Sequence, residues 1–199
     1  MKKISYSLNI GLVGPKESGK EIFIDYLKRN ALEASFISDV IKNVNYHEIL
    51  TIFDHIPMKS RIFMAKDLDK LIYNYDKIKN LDILILALDI FEPSLLCSYE
   101  KDKLEELNEY FMFKGMTLLV GIDTESIFNK TNSRLKIEQD VLVQKAQELN
   151  VLYCFELQNR TSDLKELFDK IFGDFLFKFK MTSPDLYESA RQYGQTLIK

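Results

Sequence analysis

Apolar residues recur along this chain in two alternating rhythms: short dense runs, and longer stretches with a spacing of three to four. Tyr6 to Val13 is a dense run, as expected of a buried strand, and Lys20 to Asn30 then places Ile22, Phe23, Tyr26 and Leu27 on one helical face. Glu48 to Asp54 is rich in β-branched and aromatic residues and reads as another strand, with a shorter one near Ser35 to Ile41. From Ser60 to Lys79, Met64, Leu68, Leu71, Ile72, Tyr75 and Ile78 recur at helical spacing between charged residues, which predicts one amphipathic helix. Leu81 to Asp89 is almost continuously apolar, as in a central parallel strand covered on both faces. Pro93-Ser94 opens a further helix reaching about Phe113, Met116 to Ile122 is a strand, Arg134 to Leu149 a helix and Val151 to Phe155 the last strand. A long final helix carries Leu164, Leu167, Phe168, Ile171, Phe172, Phe175, Leu176 and Phe179 on one stripe.

Strands alternating with helices predict an α/β fold with a doubly wound, mostly parallel sheet in three layers. Right-handed crossovers place the ligand crevice of such a sheet at the C-terminal ends of its strands. Ser183-Pro184-Asp185 is a helix-start signal, a serine N-cap followed by proline at the first helical position, and Gly194 reads as the stop. The expected organisation is therefore one domain over 1–180 and a helical extension over 181–199 packed on it. That extension, through Leu186, Tyr187, Ala190 and Tyr193, and the charged side of the Ser60 to Lys79 helix are the two candidate partner faces.

At 199 residues and 46% hydrophobic content, the chain is long enough for one well-buried core, and no linker or repeat divides it. A net charge of −3 with both signs scattered argues against direct nucleic-acid binding. Met1 to Ser5 leads into the first strand with no signal-peptide hydrophobic region, and no apolar run reaches membrane-spanning length, so an intracellular protein off the membrane is expected. Cys97 and Cys154 lie in or beside apolar segments, as buried reduced thiols would, and His47 and His55 lack the clustered partners of a metal site.

The chemistry-bearing motif is Gly14-Pro15-Lys16-Glu17-Ser18-Gly19-Lys20-Glu21. It fits the phosphate-binding loop Gly-x-x-x-x-Gly-Lys-Ser/Thr at every position but the last, and it joins strand to helix as that loop must. Such a turn aims backbone N–H groups and a helix N-terminus at a phosphate. At the last position a carboxylate, Glu21, replaces the magnesium-binding hydroxyl.

With this loop, the strand ending in Asp54, the Leu81 to Asp89 strand and the Cys154-Phe155-Glu156 strand end, the element order resembles the Ras-like small GTPases over nearly the whole chain. The resemblance implies nucleotide contacts from Gly14, Ser18, Gly19 and Lys20, a magnesium contact near Glu21 and Asp54, and a base contact at Glu125. Most of these contacts are damaged. No threonine lies between Glu21 and Leu50, Asp54-His55-Ile56-Pro57 stands where the family has Asp-x-x-Gly, and proline has no N–H to donate. The guanine-reading Asn-Lys-x-Asp aligns with Ile122-Asp123-Thr124-Glu125, in which only Glu125 is a reasonable substitute. Losing three charge-assisted contacts at about 2 kcal/mol each weakens binding by about four orders of magnitude if they add. A carboxylate about 4 Å from a phosphate oxygen adds repulsion of about 4 kcal/mol at an effective dielectric near 20. The expectation is a pseudo-GTPase with no catalytic residues and no cofactor, weak GTP or GDP with magnesium remaining open.

The stretches Tyr110 to Gly121 and Val143 to Leu157, with a helix following a Ser-Pro turn, are similar to the centromere protein M family, small-GTPase-like subunits of the inner kinetochore without GTPase activity. That resemblance implies a scaffold subunit at the centromere in the nucleus, with helical-repeat and coiled-coil proteins as partners. The chain departs from that family in keeping a recognisable phosphate loop and a longer Ser35 to Asn80 section. The Gly-Pro-x-Glu-Ser-Gly-Lys form of the loop also resembles intraflagellar-transport-type small GTPases. An atypical Rab-like or transport-type switch in the cytoplasm is therefore the alternative.

Overall fold

The computed structural model describes residues 4–41, 43–78, 80–128 and 135–198, with the side chains of 36–41 excepted. Arg134 and Lys79, two of the helix boundaries expected above, and Met1 to Lys3 lie outside the described residues. Seven strands form one sheet: β1 Tyr6–Val13, β2 Ala31–Ile41, β3 Val44–Phe53, β4 Ile56–Ala65, β5 Ile83–Asp89, β6 Met116–Ile122 and β7 Tyr153–Leu157. Their spatial order is β2-β3-β4-β1-β5-β6-β7. The five strands from β4 to β7 run parallel, and β2 and β3 complete the sheet in antiparallel fashion. The helices are α1 Glu21–Arg29, α2 Leu68–Tyr73, α3 Tyr75–Ile78, α4 Lys101–Glu109, α5 Thr124–Phe128, α6 Gln139–Glu148, α7 Ser162–Thr182 and α8 Pro184–Leu197.

Alternation within the strands divides the core in two. Leu8, Ile10 and Leu12 of β1 and Ile83 and Ile85 of β5 face α1, α7 and α8. Leu84, Leu86 and Leu88 of β5 and Leu119 of β6 face α2, α3, α4 and α6. Every residue of β5 is buried, because helices cover both of its faces. The result is an α/β fold with a mostly parallel sheet between two helical layers.

The expected helix over Ser60 to Lys79 is corrected in its first part. Ser60 to Ala65 belongs to β4, whose Met58, Ser60, Ile62 and Met64 point to one face and are all buried. Helix starts only at Leu68, where Asp67 caps α2 by accepting from the Lys70 N–H at 2.9 Å. The strand predicted at Glu48 to Asp54 is the longer β3, and β2 begins directly after α1. The helix expected from Pro93 to Phe113 is interrupted. A 3-10 turn, Pro93–Ser98, precedes α4, and between them Tyr99 turns inward, its buried hydroxyl donating to the Ala87 carbonyl at 2.7 Å and lying 3.0 Å from the Val13 carbonyl, with which it shares that proton. Those carbonyls sit at or near the C-terminal ends of β1 and β5, so one tyrosine ties together the strands beneath the loop.

Three local expectations also change. Gly194 lies inside α8 rather than at its end, where a Cβ would stand 1.8 Å from the His55 carbonyl oxygen. Ser183 precedes α8 but its side chain makes no capping hydrogen bond. Cys97 is exposed on the 3-10 turn, while Cys154 is half-buried and its thiol is pushed up to about 11 by burial.

His47 on β3 is buried, and loss of solvent, reinforced by the Lys28 ammonium, lowers its pKa to about 4. The unfolded chain takes up a proton near the ordinary value of about 6.5 while the folded chain does not until about 4, so stability falls with falling pH in that window. Denaturant midpoints should drop between pH 6.5 and 4.5 by an amount worth about 2 kcal/mol, and His47→Leu should flatten that dependence.

Candidate functional site

The crevice predicted at the C-terminal strand ends is built around the turn after β1. The Gly14 N–H donates to the Ala65 carbonyl of β4 at 3.2 Å, which pins the turn to the sheet. A Cβ at Gly14 would stand 2.4 Å from the Ala87 carbonyl oxygen and 2.8 Å from Ser18 Oγ, so only glycine fits. Lys16–Ser18 forms a 3-10 turn, and Gly19 takes the left-handed conformation at φ 77° that opens α1. The buried Ser18 hydroxyl donates to the Pro15 carbonyl at 2.8 Å.

Lys20 is only 5% exposed, and its ammonium donates to the carbonyls of Gly14 at 2.5 Å and Pro15 at 2.8 Å. Burial lowers its pKa, against the opposing pull of Glu21 and Glu17. The lysine therefore closes the loop on itself, and two of its three protons are held by the loop's own backbone. Glu21, the first residue of α1, is exposed.

The neighbouring strand ends are occupied by a polar network. Asp89, buried at the end of β5, accepts from Thr124 Oγ1 at 2.9 Å and from the Phe91 N–H at 3.1 Å. Asp123, past β6, accepts from the Ser126 N–H at 2.7 Å, and its own N–H donates to the Leu157 carbonyl at 2.8 Å. Lys136 pairs with Glu156 at 2.7 Å and stands 3.9 Å from Asp123. Thr124 and Phe128 of α5 close over the loop: a Cβ at Gly19 would lie 3.1 Å from Thr124 Cγ2 and 3.5 Å from the Phe128 ring. Glu125 is half-buried on α5 beside them.

Of the residues expected in the site, Gly14, Ser18, Gly19, Lys20 and Glu21 form the loop, and Glu125 lies on the helix that covers it. Asp54 is not with them. It forms, with His55, the turn between β3 and β4 at the opposite end of the sheet: Met58 pairs with Tyr6 at the start of β1, and Ala65 with Val13 at its end. The length of β4, about 30 Å, separates Asp54 from the loop, and its carboxylate instead accepts from the Tyr187 hydroxyl of α8 at 3.3 Å. Asp67 is the first carboxylate past the C-terminal end of β4, and its side chain caps α2. A helical reading of Ser60 to Ala65 hides this carboxylate, and the alternation of Met58, Ile62 and Met64 is the signal in the sequence that reveals the strand leading to it.

These residues do not fit a magnesium triphosphate as they stand. The loop offers a carboxylate in place of a hydroxyl, its lysine is bound to its own carbonyls, and Asp67 is committed to a cap. Among the described residues, no group of three or more histidines, cysteines or carboxylates comes together in a way that could hold a metal ion. No described helix is long and apolar enough to cross a membrane. No protein-family model matches the chain, and no curated protein matches it.

Proposed function

We propose that this chain is a small-GTPase-like domain whose nucleotide chemistry is lost and which serves as a rigid scaffold subunit of a multiprotein assembly. The single observation behind this reading is the loop itself: its two glycines and lysine keep the strand-turn-helix arrangement, while Lys20 is turned onto the carbonyls of Gly14 and Pro15. Glu21 in place of the hydroxyl adds repulsion toward any triphosphate. The antiparallel extension also supports it, since β2 begins immediately after α1, in the stretch where a nucleotide switch would need a magnesium-binding threonine. The assembly we name is the inner kinetochore at centromeres, on the resemblance of Tyr110 to Gly121 and Val143 to Leu157 to centromere protein M.

Helical-repeat and coiled-coil subunits are the partners this reading implies, in the nucleus and without direct contact to nucleic acid. Affinity purification of the tagged chain from nuclear extract should recover such subunits as stoichiometric partners. A chain that stays monomeric and recovers no partner contradicts the scaffold. Tight, magnesium-dependent binding of GTP or GDP would instead make the chain an atypical Rab-like or transport-type switch.

A further inference from the structure

A wide, open cavity lies at the other end of the sheet from the phosphate loop. It offers about 780 Å³ where β5 and β6 begin, between α3, the segment before β6 and α7. That volume is in the range of sites that hold small organic molecules, about 300 to 1,000 Å³. Tyr75, Phe111, Phe113 and Phe175 supply aromatic walls, with Tyr75 and Phe111 packed at 4.8 Å between ring centroids.

Asp82, half-buried just before β5, is part of its lining. One carboxylate oxygen accepts from the Asn9 N–H at 2.8 Å. Burial raises the pKa of this carboxyl, while the Asn9 bond and the exposed Lys178 ammonium on α7 pull it down. At the mouth, Tyr110 is 79% exposed and Met112 70% exposed, and Met112 holds a left-handed backbone at φ 52°. A non-glycine residue in that conformation is strained, and such residues cluster at ligand clamps. A carboxylate that shares one lining with several aromatic rings attracts an organic cation, through charge and through the ring quadrupoles together. Asp76 and Asp174 in the same lining add to that attraction, and Lys114 and Lys178 oppose it.

We infer that this cavity is a binding site for a small organic ammonium ion with an aromatic or aliphatic body, Asp82 being its counter-ion and Tyr75, Phe111 and Phe175 its walls. Lys178 is then a resident competitor for the same carboxylate. The inference does not rest on the scaffold reading, although Phe111 and its neighbours in the lining belong to the Tyr110 to Gly121 stretch from which the assembly was named.

Tryptamine is a suitable probe, with 3-indolepropionate as the same ring carrying the opposite charge. Titrated into the isotope-labelled full chain, tryptamine should move the amide resonances of Asp82, Gly115 and Met116 with submillimolar affinity, and 3-indolepropionate should bind at least about tenfold more weakly. Asp82→Asn, which keeps an acceptor for Asn9, should weaken tryptamine about tenfold. Lys178→Ala, a change at an exposed position, should strengthen it severalfold. Equal affinity for the two probes, no binding of either at millimolar concentration, or a Lys178→Ala chain that binds tryptamine no better would overturn the inference. The lysine arm serves should Asp82→Asn fail to fold.

Discussion

Gly194→Ala is expected to lift α8 away from the sheet. The added Cβ would meet the His55 carbonyl oxygen at 1.8 Å and the Pro57 ring at 3.0 Å, and the first of these is backbone in a tight turn that cannot yield as a side chain would. To relieve the overlap, α8 must move by more than an ångström, which breaks the Tyr187–Asp54 hydrogen bond and uncovers Tyr187 and the fully buried Ala190. Overpacking of this kind costs about 3 kcal/mol. For a chain of this length that lowers Tm by roughly 6 to 12 °C. Amide exchange should accelerate in α8 and in the β3–β4 turn together. Ser189→Ala, exposed on the same helix, should leave both measurements near the wild type. A Gly194→Ala chain with an unchanged Tm would mean that α8 does not dock as described.

The second large effect is expected from Gly14→Ala. Its Cβ would be caught between the Ala87 carbonyl oxygen at 2.4 Å and Ser18 Oγ at 2.8 Å, one part of the central strand and the other a buried hydroxyl already bonded to Pro15. Neither can retreat without disturbing β5 or the 3-10 turn, so the loop must leave its anchor on Ala65. A loss of about 3 kcal/mol follows, read as a shift in the urea midpoint with little change in slope. Glu17→Ala, on the exposed side of the same turn, should be within about 0.5 kcal/mol of the wild type. If Gly14→Ala proves neutral, the loop is not held against β5.

Much of this architecture was legible in the chain. The unbroken apolar run from Leu81 to Asp89 and the strand Met116 to Ile122 could hardly be other than central strands, and the stripe from Leu164 to Phe179 could only be a helix lying on a sheet. The loop announced itself through Gly14, Gly19 and Lys20, whose special backbone and spacing are local properties. What stayed hidden depended on partners distant in sequence. β4 is hard to read because Ser60, a polar residue, holds a fully buried position in its alternation, while Lys59 and Arg61 pair across the strand with Glu48 at 3.0 and 3.3 Å. Met64 fits the following helical spacing as well as the strand.

The turn at Asp54-His55 was equally opaque. Both residues hold positive φ, 47° and 63°, a conformation that hairpins usually assign to Asn-Gly. Nothing nearby in the sequence signals it, and the docking of α8 through Tyr187 and Gly194 helps to hold it. With the turn there, Asp54 belongs to the end of the sheet opposite the loop. Gly194 is opaque for the same reason, since its need for a missing side chain arises from a carbonyl some 140 residues away in the chain.

The candidate partner faces shift accordingly. Tyr187 and Ala190 of α8 are buried against the sheet, which leaves Leu186, 51% exposed, as the outward apolar residue of that helix. The helix expected from Ser60 is replaced by the end of β4 and the two short helices α2 and α3, which divide its charged residues among three elements.

We propose that the phosphate loop has kept its shape while giving up its use. Titration calorimetry of GTP, GDP and ATP into the intact chain, with and without magnesium, measures this directly. No binding at micromolar affinity or tighter is expected in any of these titrations; micromolar or tighter binding of GTP that requires magnesium and disappears in Lys20→Ala would show a loop still in use.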